Sequence, residues 1–344
     1  MPELAVVEER PGLGGLCGRD LLRIDDLAAG ELLALLDLAE RLKALQHERI
    51  PHPMLPGRSL AMIFEKPSTR TRVSFEVGMA QLGGHAVHLA TAESQLGRGE
   101  PIADTGAVLS RYVDAIMIRT GAHARVEALA QAASVPVVNG LTDEHHPCQA
   151  LADLMVLRER LGGLEGRRLA WVGDGLNNVC HSLLTAAAMA GMEVVVAAPE
   201  GYAPDPEVLS AAAAPVAVVE DPWAAVAGAD AVVTDTWTSM GQEEETAWRR
   251  VAFAGFQVND ALLATAKPDV KFLHCLPAHR GEEVTDAVID GPRSLVVEQA
   301  ENRLHLQKAL MAELVAANDA WRKKDLRNDA RGVLSGLVAS PTGR

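Results

Sequence analysis

The 344-residue sequence contains few cysteines, few aromatic residues and no long apolar run. Its four cysteines include no CxxC pair, so neither a disulfide-stapled secreted protein nor a zinc knuckle is indicated. Aromatic residues make up 3% of the chain, which argues against a single-stranded nucleic-acid site built on base stacking. No run of about 18 apolar residues is present to span a membrane as a helix.

The sequence also lacks an excess of positive charge, because 32 Lys and Arg stand against 46 Asp and Glu, a net charge of −14. We therefore expect neither nucleic acid nor an anionic membrane as a partner. The first twelve residues contain acidic side chains and no apolar segment of a secretory signal, which predicts a cytoplasmic protein. An anionic substrate would require a local basic cluster that works against the overall charge.

The residues that are present predict an α/β protein. Hydrophobic residues make up 48% and charged residues 23%, as in ordinary globular proteins, and the length suits two domains. Short apolar runs alternate with amphipathic segments, so we expect two doubly wound parallel-sheet domains joined by long helices. The predicted strands are 59–64, 85–89, 114–118 and 136–138 in the first half, and 168–172, 193–197, 216–219, 231–234, 270–273 and 294–297 in the second.

Two long helical segments are predicted to connect these domains. The first, 148–160, precedes the glycine-rich segment LGGLEG, and the second, 301–321, is expected to pack back against the first domain. The predicted units are a first domain of 1–150 completed by a C-terminal helix at about 305–330, a second domain of 151–304 and a loose tail of 331–344.

The segment EKPSTRTR follows the first predicted strand and leads into a helix. A helix N-terminus offers free N–H groups and the positive end of the helix dipole, which favour an anion. Ser68, Thr69 and Thr71 add hydroxyl groups, and Arg70 and Arg72 add guanidinium groups suited to phosphate. The segment lacks the Walker A pattern, so ATP is not implied. An ordinary helix cap with two solvated arginines is the alternative.

Polar residues also stand at two other positions where a parallel sheet would bind a ligand. Arg119 follows a predicted buried strand, beyond whose carboxyl end ligands bind, although a structural ion pair would place it there too. His146 and Gln149 open the bridging helix and suit a carbonyl and an –NH2 group. A metal on His145, His146 and Cys148 is disfavoured, since adjacent histidines diverge and no further ligand is near.

These residues match, in identity and order, the carbamoyl-phosphate signature of the carbamoyltransferases, and the sequence resembles the aspartate/ornithine carbamoyltransferase family. In the second half, DTWTSMG from Asp235, HCLP from His274, AENR ending at Arg303 and GDGLNN ending at Asn178 resemble the segments of its ornithine-specific members. The resemblance implies transfer of a carbamoyl group from carbamoyl phosphate to L-ornithine, giving L-citrulline and phosphate. It does not indicate whether the biosynthetic or the catabolic direction prevails.

The resemblance also implies the site. The residues implied for carbamoyl phosphate are Ser68, Thr69, Arg70, Thr71, Gln95, Arg119, His146, Gln149, Cys275, Leu276 and Arg303. Those implied for ornithine are Asn178, Asp235, Ser239 and Met240. Arg70, Arg119, His146 and Cys275 would be catalytic, and Gln95 would reach carbamoyl phosphate from a neighbouring subunit of a homotrimer or a multiple of trimers. No cofactor and no metal are implied. We expect the δ-amine of ornithine to react in its minor neutral form beside Cys275.

Several alternatives remain open. Aspartate as the second substrate would require cationic side chains where the chain has Asp235, and putrescine lacks the carboxylate that Ser239 and Met240 would hold; an acylated ornithine is a further candidate. A nicotinamide-dependent oxidoreductase is disfavoured because Asn178 stands where the GxGxxG pattern requires glycine. A non-catalytic paralogue is disfavoured because no reactive motif position is replaced. Taken without its motif, Cys275 would be interpreted as a packing residue.

Overall fold

Two parallel β-sheets form the framework of the chain. The structure is a computed structural model and describes residues 15–91, 94–239, 241 and 243–315. The first sheet contains β1 (Ser59–Phe64), β2 (His85–Ala90), β3 (Ala115–Arg119) and β4 (Val137–Leu141), in the order β2-β1-β3-β4. The second contains β5 (Arg168–Val172), β6 (Glu193–Ala197), β7 (Val216–Val219), β8 (Ala231–Thr234) and β9 (Lys271–His274), in the order β7-β6-β5-β8-β9.

Helices cover the sheets and connect their strands. The α-helices of the described residues are α1 (Ala29–His47), α2 (Thr69–Gln81), α3 (Ile102–Leu109), α4 (His123–Ala132), α5 (Pro147–Leu161), α6 (Asn178–Met189), α7 (Pro206–Ala211), α8 (Pro222–Val226), α9 (Thr246–Ala252), α10 (Asp260–Leu263), α11 (Asp286–Ile289) and α12 (Val296–Val315). Among these described helices, none is long and apolar enough to cross a membrane.

The strands confirm the predicted fold class, with one correction. β1, β5, β6, β7 and β8 have the predicted bounds, and the other four strands differ by a few residues at their ends. The strand predicted at 294–297 is wrong. Ser294 forms an isolated bridge to Phe272, and α12 begins at Val296. A short apolar run has no period of its own, and the helical period of the residues that follow decides the structure here.

Two long helices join the halves, as predicted. α5 begins at Pro147, a position where the missing N–H of proline costs nothing, and it packs against α1, α6 and α12. α12 packs against α1, α2 and α5 and is buried over most of its length. One continuous apolar core therefore includes residues of both sheets, such as Met117 and Trp171, together with Leu310 of α12. The predicted extension of this helix and the tail lie outside the described residues.

The topology of the two sheets places a crevice between them. In each sheet, later strands are added on both sides of the first strand. β1 lies between β2 and β3, and β5 lies between β6 and β8. Ligands of open parallel sheets bind beyond the carboxyl ends of the strands at such a reversal. The segments that follow β1, β3, β5 and β8 are therefore the positions where a site is expected.

Candidate active site

A cleft of about 320 Å³ lies between the two sheets. It is lined by segments that follow the carboxyl ends of β1, β4, β5, β8 and β9, by Arg119 at the end of β3 and by Arg303 of α12. The residues predicted from the sequence that line it are Ser68, Thr69, Arg70, Arg119, His146, Gln149, Asn178, Asp235, Ser239, Cys275, Leu276 and Arg303. Residues separated by more than two hundred positions in the chain thus face one cavity.

Two other predicted residues, Thr71 and Gln95, do not line the cleft. Thr71 is fully buried in α2, and its hydroxyl accepts hydrogen bonds from Arg303 Nη2 (3.0 Å) and from Ser68 Oγ (3.1 Å), so it holds the arginine. Gln95 is exposed at the start of a short 3-10 turn. Met240 lies outside the described residues.

The loop after β1 presents a helix N-terminus to the cleft. Ser68 caps α2, because its side-chain oxygen accepts a hydrogen bond from the backbone N–H of Thr71 (3.3 Å). The free N–H groups of this first turn favour an anion. Arg70 adds its guanidinium group and donates to the carbonyl oxygen of Leu276 on the loop after β9. This contact links the first sheet's loop to the second sheet's loop.

In the same loop, Lys66 lines the cleft and Arg72 does not. Arg72 pairs with Glu76 one turn along α2 (3.0 Å) and does not line the cavity. Lys66 lines the cavity instead, and its Nζ lies 2.5 Å from Asp143 Oδ1. Its place directly after a buried strand is the signal that could have identified it.

Arg119, His146 and Arg303 form a buried basic cluster at the base of the cleft, with exposed fractions of 8%, 4% and 4%. Burial and the charge of Arg303 lower the pKa of Arg119 to about 10. Burial, together with Arg303 and Arg119, lowers the pKa of His146 well below its ordinary value. The imidazole of His146 is therefore neutral at pH 7, while both guanidinium groups keep their charge.

Each member of this cluster keeps a buried nitrogen that has no hydrogen-bond partner among the described residues. These atoms are Arg119 Nε, His146 Nδ1 and Arg303 Nε. A buried polar group without a partner costs free energy, and folded proteins rarely leave several together. Unsatisfied donors at the base of a cavity indicate a site for an oxygen-rich, anionic ligand.

Polar residues behind the cluster hold Arg303 in place. Arg303 Nη1 donates to Gln149 Oε1 (3.2 Å), and Gln149 Nε2 donates to Asp153 Oδ1 (3.0 Å). Gln299 Nε2 donates to the same oxygen of Asp153 (2.6 Å). Burial raises the pKa of Asp153 to about 7. Sequence reasoning missed Asp153 and Gln299, because single polar residues inside helices carry no pattern that points to the interior.

On the opposite wall of the cleft, Cys275 contacts Asp235. The thiol of Cys275 donates to Asp235 Oδ1 (3.1 Å), and Asn177 Nδ2 donates to Asp235 Oδ2 (3.0 Å). Burial and the neighbouring carboxyl of Asp235 raise the pKa of Cys275 well above its ordinary value. Cys275 is therefore a neutral thiol at pH 7 and not a thiolate. Asn177 was missed, although it belongs to the GDGLNN segment.

The loop after β8 is fastened to the turn after β5 by a buried arginine. Arg249 Nη1 donates to Asp174 Oδ2 (2.6 Å) and to the carbonyl oxygen of Trp237 (2.9 Å). This loop brings Ser239 to the cleft beside Asn178, the first residue of α6. Thr238 lines the same wall, and its buried hydroxyl has no hydrogen-bond partner among the described residues.

Two family models match the chain. Residues 19–159 match "Aspartate/ornithine carbamoyltransferase, carbamoyl-P binding domain". Residues 165–314 match "Aspartate/ornithine carbamoyltransferase, Asp/Orn binding domain". The first match ends at Glu159, in the last turn of α5, the helix that joins the sheets, and the second begins after this helix, at Glu165.

Individual proteins resemble the chain over nearly their full lengths. The ornithine carbamoyltransferase of Anoxybacillus flavithermus is 56% identical over 307 residues, which are 87% of this chain and 98% of the relative. A protein of Pyrococcus furiosus named "Ornithine carbamoyltransferase, anabolic" is 56% identical over 304 residues, 86% of this chain and 96% of the relative. A solved structure of ornithine carbamoyltransferase from Pyrococcus furiosus has a TM-score of 0.84 at 55% identity and covers 87% of this chain and 98% of its own. The chain belongs to the aspartate/ornithine carbamoyltransferase family.

Proposed function

We propose that this protein transfers the carbamoyl group of carbamoyl phosphate to the δ-amine of L-ornithine, giving L-citrulline and phosphate. One observation favours this reaction above the others. A buried basic cluster with unsatisfied donors faces an acidic wall, formed by Asp235 and Cys275, across a single cleft. The first wall suits an anion with a carbonyl group, and the second suits an amine.

The phosphate group is proposed to bind at the N-terminus of α2. The backbone N–H groups of the first helical turn and the hydroxyl groups of Ser68 and Thr69 would donate to its oxygens, and Arg70 would add a positive charge. Negative charge grows on the leaving phosphate as the C–O bond breaks. These groups therefore stabilise the transition state more than the ground state.

The carbamoyl group is proposed to bind at the base of the cleft. Arg119 and the neutral His146 would donate to its carbonyl oxygen, which gains negative charge when the amine attacks. Gln149, held by Arg303 and Asp153, would contact the carbamoyl –NH2 group with Leu276. This neighbouring network keeps the donors in place before the substrate arrives.

Ornithine is proposed to bind against the second sheet. The N-terminus of α6 at Asn178 and the loop that contains Ser239 and Met240 would hold the α-carboxylate and α-amine, and Asp235 would contact an ammonium group. Because Cys275 is a neutral thiol that already donates to Asp235, it cannot remove the δ-amine proton as a thiolate. The neutral amine of ornithine is therefore the nucleophile.

The experiment that tests the reaction is a colorimetric assay of carbamoylated product with carbamoyl phosphate and each candidate amine. We expect product with L-ornithine and little with aspartate, because the carboxylate of Asp235 in the cleft would repel the second carboxylate of aspartate. We expect little with putrescine, which lacks the α-carboxylate. Product with another amine, and none with ornithine, would contradict the proposal.

Replacing Arg119 with alanine removes a donor to the carbonyl oxygen. We expect kcat to fall by about 10²–10³, the usual cost of losing one such donor. The matched control is Arg111→Ala, because Arg111 is exposed and does not line the cleft. A rise in KM with an unchanged kcat would instead show that Arg119 binds the ground state and the transition state equally.

The pH dependence of kcat/KM for ornithine tests which group loses the proton. Between pH 6.5 and 8.0 the neutral fraction of an alkyl amine with a pKa near 10 rises about tenfold per pH unit, and kcat/KM is expected to rise with it. Cys275→Ser should lower the rate but keep this slope, because the pKa of the thiol lies above the range. A flat profile, or a slope that disappears with Cys275→Ser, would contradict this assignment.

We further propose that the active form is a homotrimer, or a multiple of trimers, in which Gln95 reaches carbamoyl phosphate bound in a neighbouring subunit. The support is that Gln95 is exposed and lies outside the cleft of its own chain. Direct contact between Gln95 and the substrate then requires a second copy.

Mixing two inactive variants tests this arrangement. Chains carrying Gln95→Ala and chains carrying Arg119→Ala are refolded together in equal amounts. If Gln95 acts across the interface of a trimer, about a quarter of the sites in random trimers receive both intact residues, and activity returns to that extent. If Gln95 acts on its own chain, no site is intact, so the absence of recovery would contradict the proposal.

We extend the proposal to the cellular location and to the direction of the reaction. Cys148, Cys180 and Cys275 form no disulfide bond, which supports a role in the reducing cytoplasm. The Pyrococcus furiosus relative described above is named anabolic, which supports the citrulline-forming direction in arginine biosynthesis.

A further inference from the structure

Two histidines and a glutamate meet where the end of α1 contacts α12, away from the cleft. His47 is the last residue of α1, and Glu301 and His305 lie one turn apart on α12. His47 Nε2 lies 2.6 Å from Glu301 Oε1, and His305 Nε2 lies 3.5 Å from the same oxygen. One ligand atom from each residue lies within 4.8 Å of the other two.

The side chain of His305 is shielded from solvent, and its 3.5 Å contact with Glu301 does not form a hydrogen bond. It is fully buried, and neither of its ring nitrogens has a hydrogen-bond partner among the described residues. Leaving both nitrogens of an imidazole unsatisfied costs free energy. An imidazole nitrogen that carries no proton offers a lone pair to a metal ion.

We propose that His47, Glu301 and His305 form a binding site for one divalent transition-metal ion of the Zn²⁺ class. Two imidazoles and a carboxylate are a donor set typical of such ions, whereas Mg²⁺ and Ca²⁺ prefer oxygen ligands alone. Tetrahedral bonds of about 2.0 Å separate ligand atoms by about 3.3 Å. His305 and Glu301 already have nearly this spacing, and a small rotation of the exposed His47 completes it.

Access and charge are compatible with such an ion. The side chains of His47 and Glu301 are 56% and 37% exposed, so an ion and a water ligand can reach the site. Two lysines lie near. Lys43 is paired with Glu159 (3.0 Å), and Lys308 Nζ lies 3.0 Å from His52 Nε2. Burial lowers the pKa of Lys308 to about 8, so most of its positive charge is kept at pH 7 and is lost only above pH 8.

A metal at this position would fasten α12 to α1. The helix carries Arg303 between Glu301 and His305, and residues two positions apart point about 200° away from each other around a helix. The metal would hold one side of α12 to α1 while the other side presents Arg303 to the cleft. We assign the ion a structural role in fixing this helix and no part in the reaction.

The test is a Co²⁺ titration of untagged protein, followed by visible absorption. Two other groups of the described residues, around Cys275 and around His279, could also hold an ion. Cys275→Ser and His279→Ala are therefore introduced as the common background, which is used for binding alone. We expect one Co²⁺ per chain with d–d bands and without the charge-transfer absorption that a thiolate ligand gives.

Variants on this background locate the site. His47→Ala removes an exposed ligand and should leave the fold intact, and Glu301→Gln tests a second ligand. Each is expected to weaken Co²⁺ binding at least tenfold. His85→Ala, which removes an exposed histidine elsewhere, should bind like the background. Zn²⁺ should raise the Tm of the background and of His85→Ala but not that of His47→Ala.

Two outcomes would overturn the proposal. One is equal Co²⁺ affinity in His47→Ala and His85→Ala, which would place the ion elsewhere. The other is stoichiometric binding by the unmodified protein that is lost in the common background, which would place it in the cleft. Unchanged far-UV circular dichroism in His47→Ala shows that a loss of binding reflects a lost ligand and not a lost fold.

Discussion

The structure depends on holding three basic side chains, Arg119, His146 and Arg303, together in a buried position. Two guanidinium groups in one apolar environment repel each other, and burial opposes their charge. Arg303 is held by hydrogen bonds to Thr71 and Gln149, and Arg119 is fixed by the end of β3. Their charges and burial lower the pKa of the neighbouring His146, so its imidazole is neutral. The result is a rigid set of donors with unsatisfied nitrogens, which an anionic substrate can satisfy.

This constraint explains the arrangement of the long helices. Arg303 lies more than one hundred and fifty residues after Gln149, yet the two side chains are in contact. α12 must therefore run from the second sheet back between α1, α2 and α5, and its burial over most of its length anchors it there. The halves consequently share one apolar core, and packing in this core fixes where α12 lies relative to the cleft. The net charge of −14 is a property of the whole chain, and the cleft is a local exception to it.

Much of the fold could be predicted because most strands, the edge strands β2 and β7 excepted, are buried on both faces. Continuous apolar runs identify such strands directly, and five of nine have the predicted bounds. The error at 294–297 arose from the same signal, since SLVV is apolar but belongs partly to the first turn of α12. Many of the predicted residues that line the cleft stand in short loop motifs, because loops after strands are exposed to ligands in this topology. Asp153, Gln299 and Arg249 were missed, since each is one polar residue within a helix, and each contacts a partner that lies far away in sequence.

The sequence by itself determined the class of the fold, the order of the motifs and the family resemblance, because local hydrophobic patterns and short loops specify these. Only the tertiary structure decided the protonation and the pairing of the side chains. Cys275 is a neutral thiol because folding buries it beside Asp235, and Thr71 holds Arg303 because α12 lies against α2. The meeting of His47 with Glu301 and His305 is likewise invisible in the sequence. The physical reason is common to all three: desolvation and proximity depend on contacts between distant segments, which no local pattern encodes.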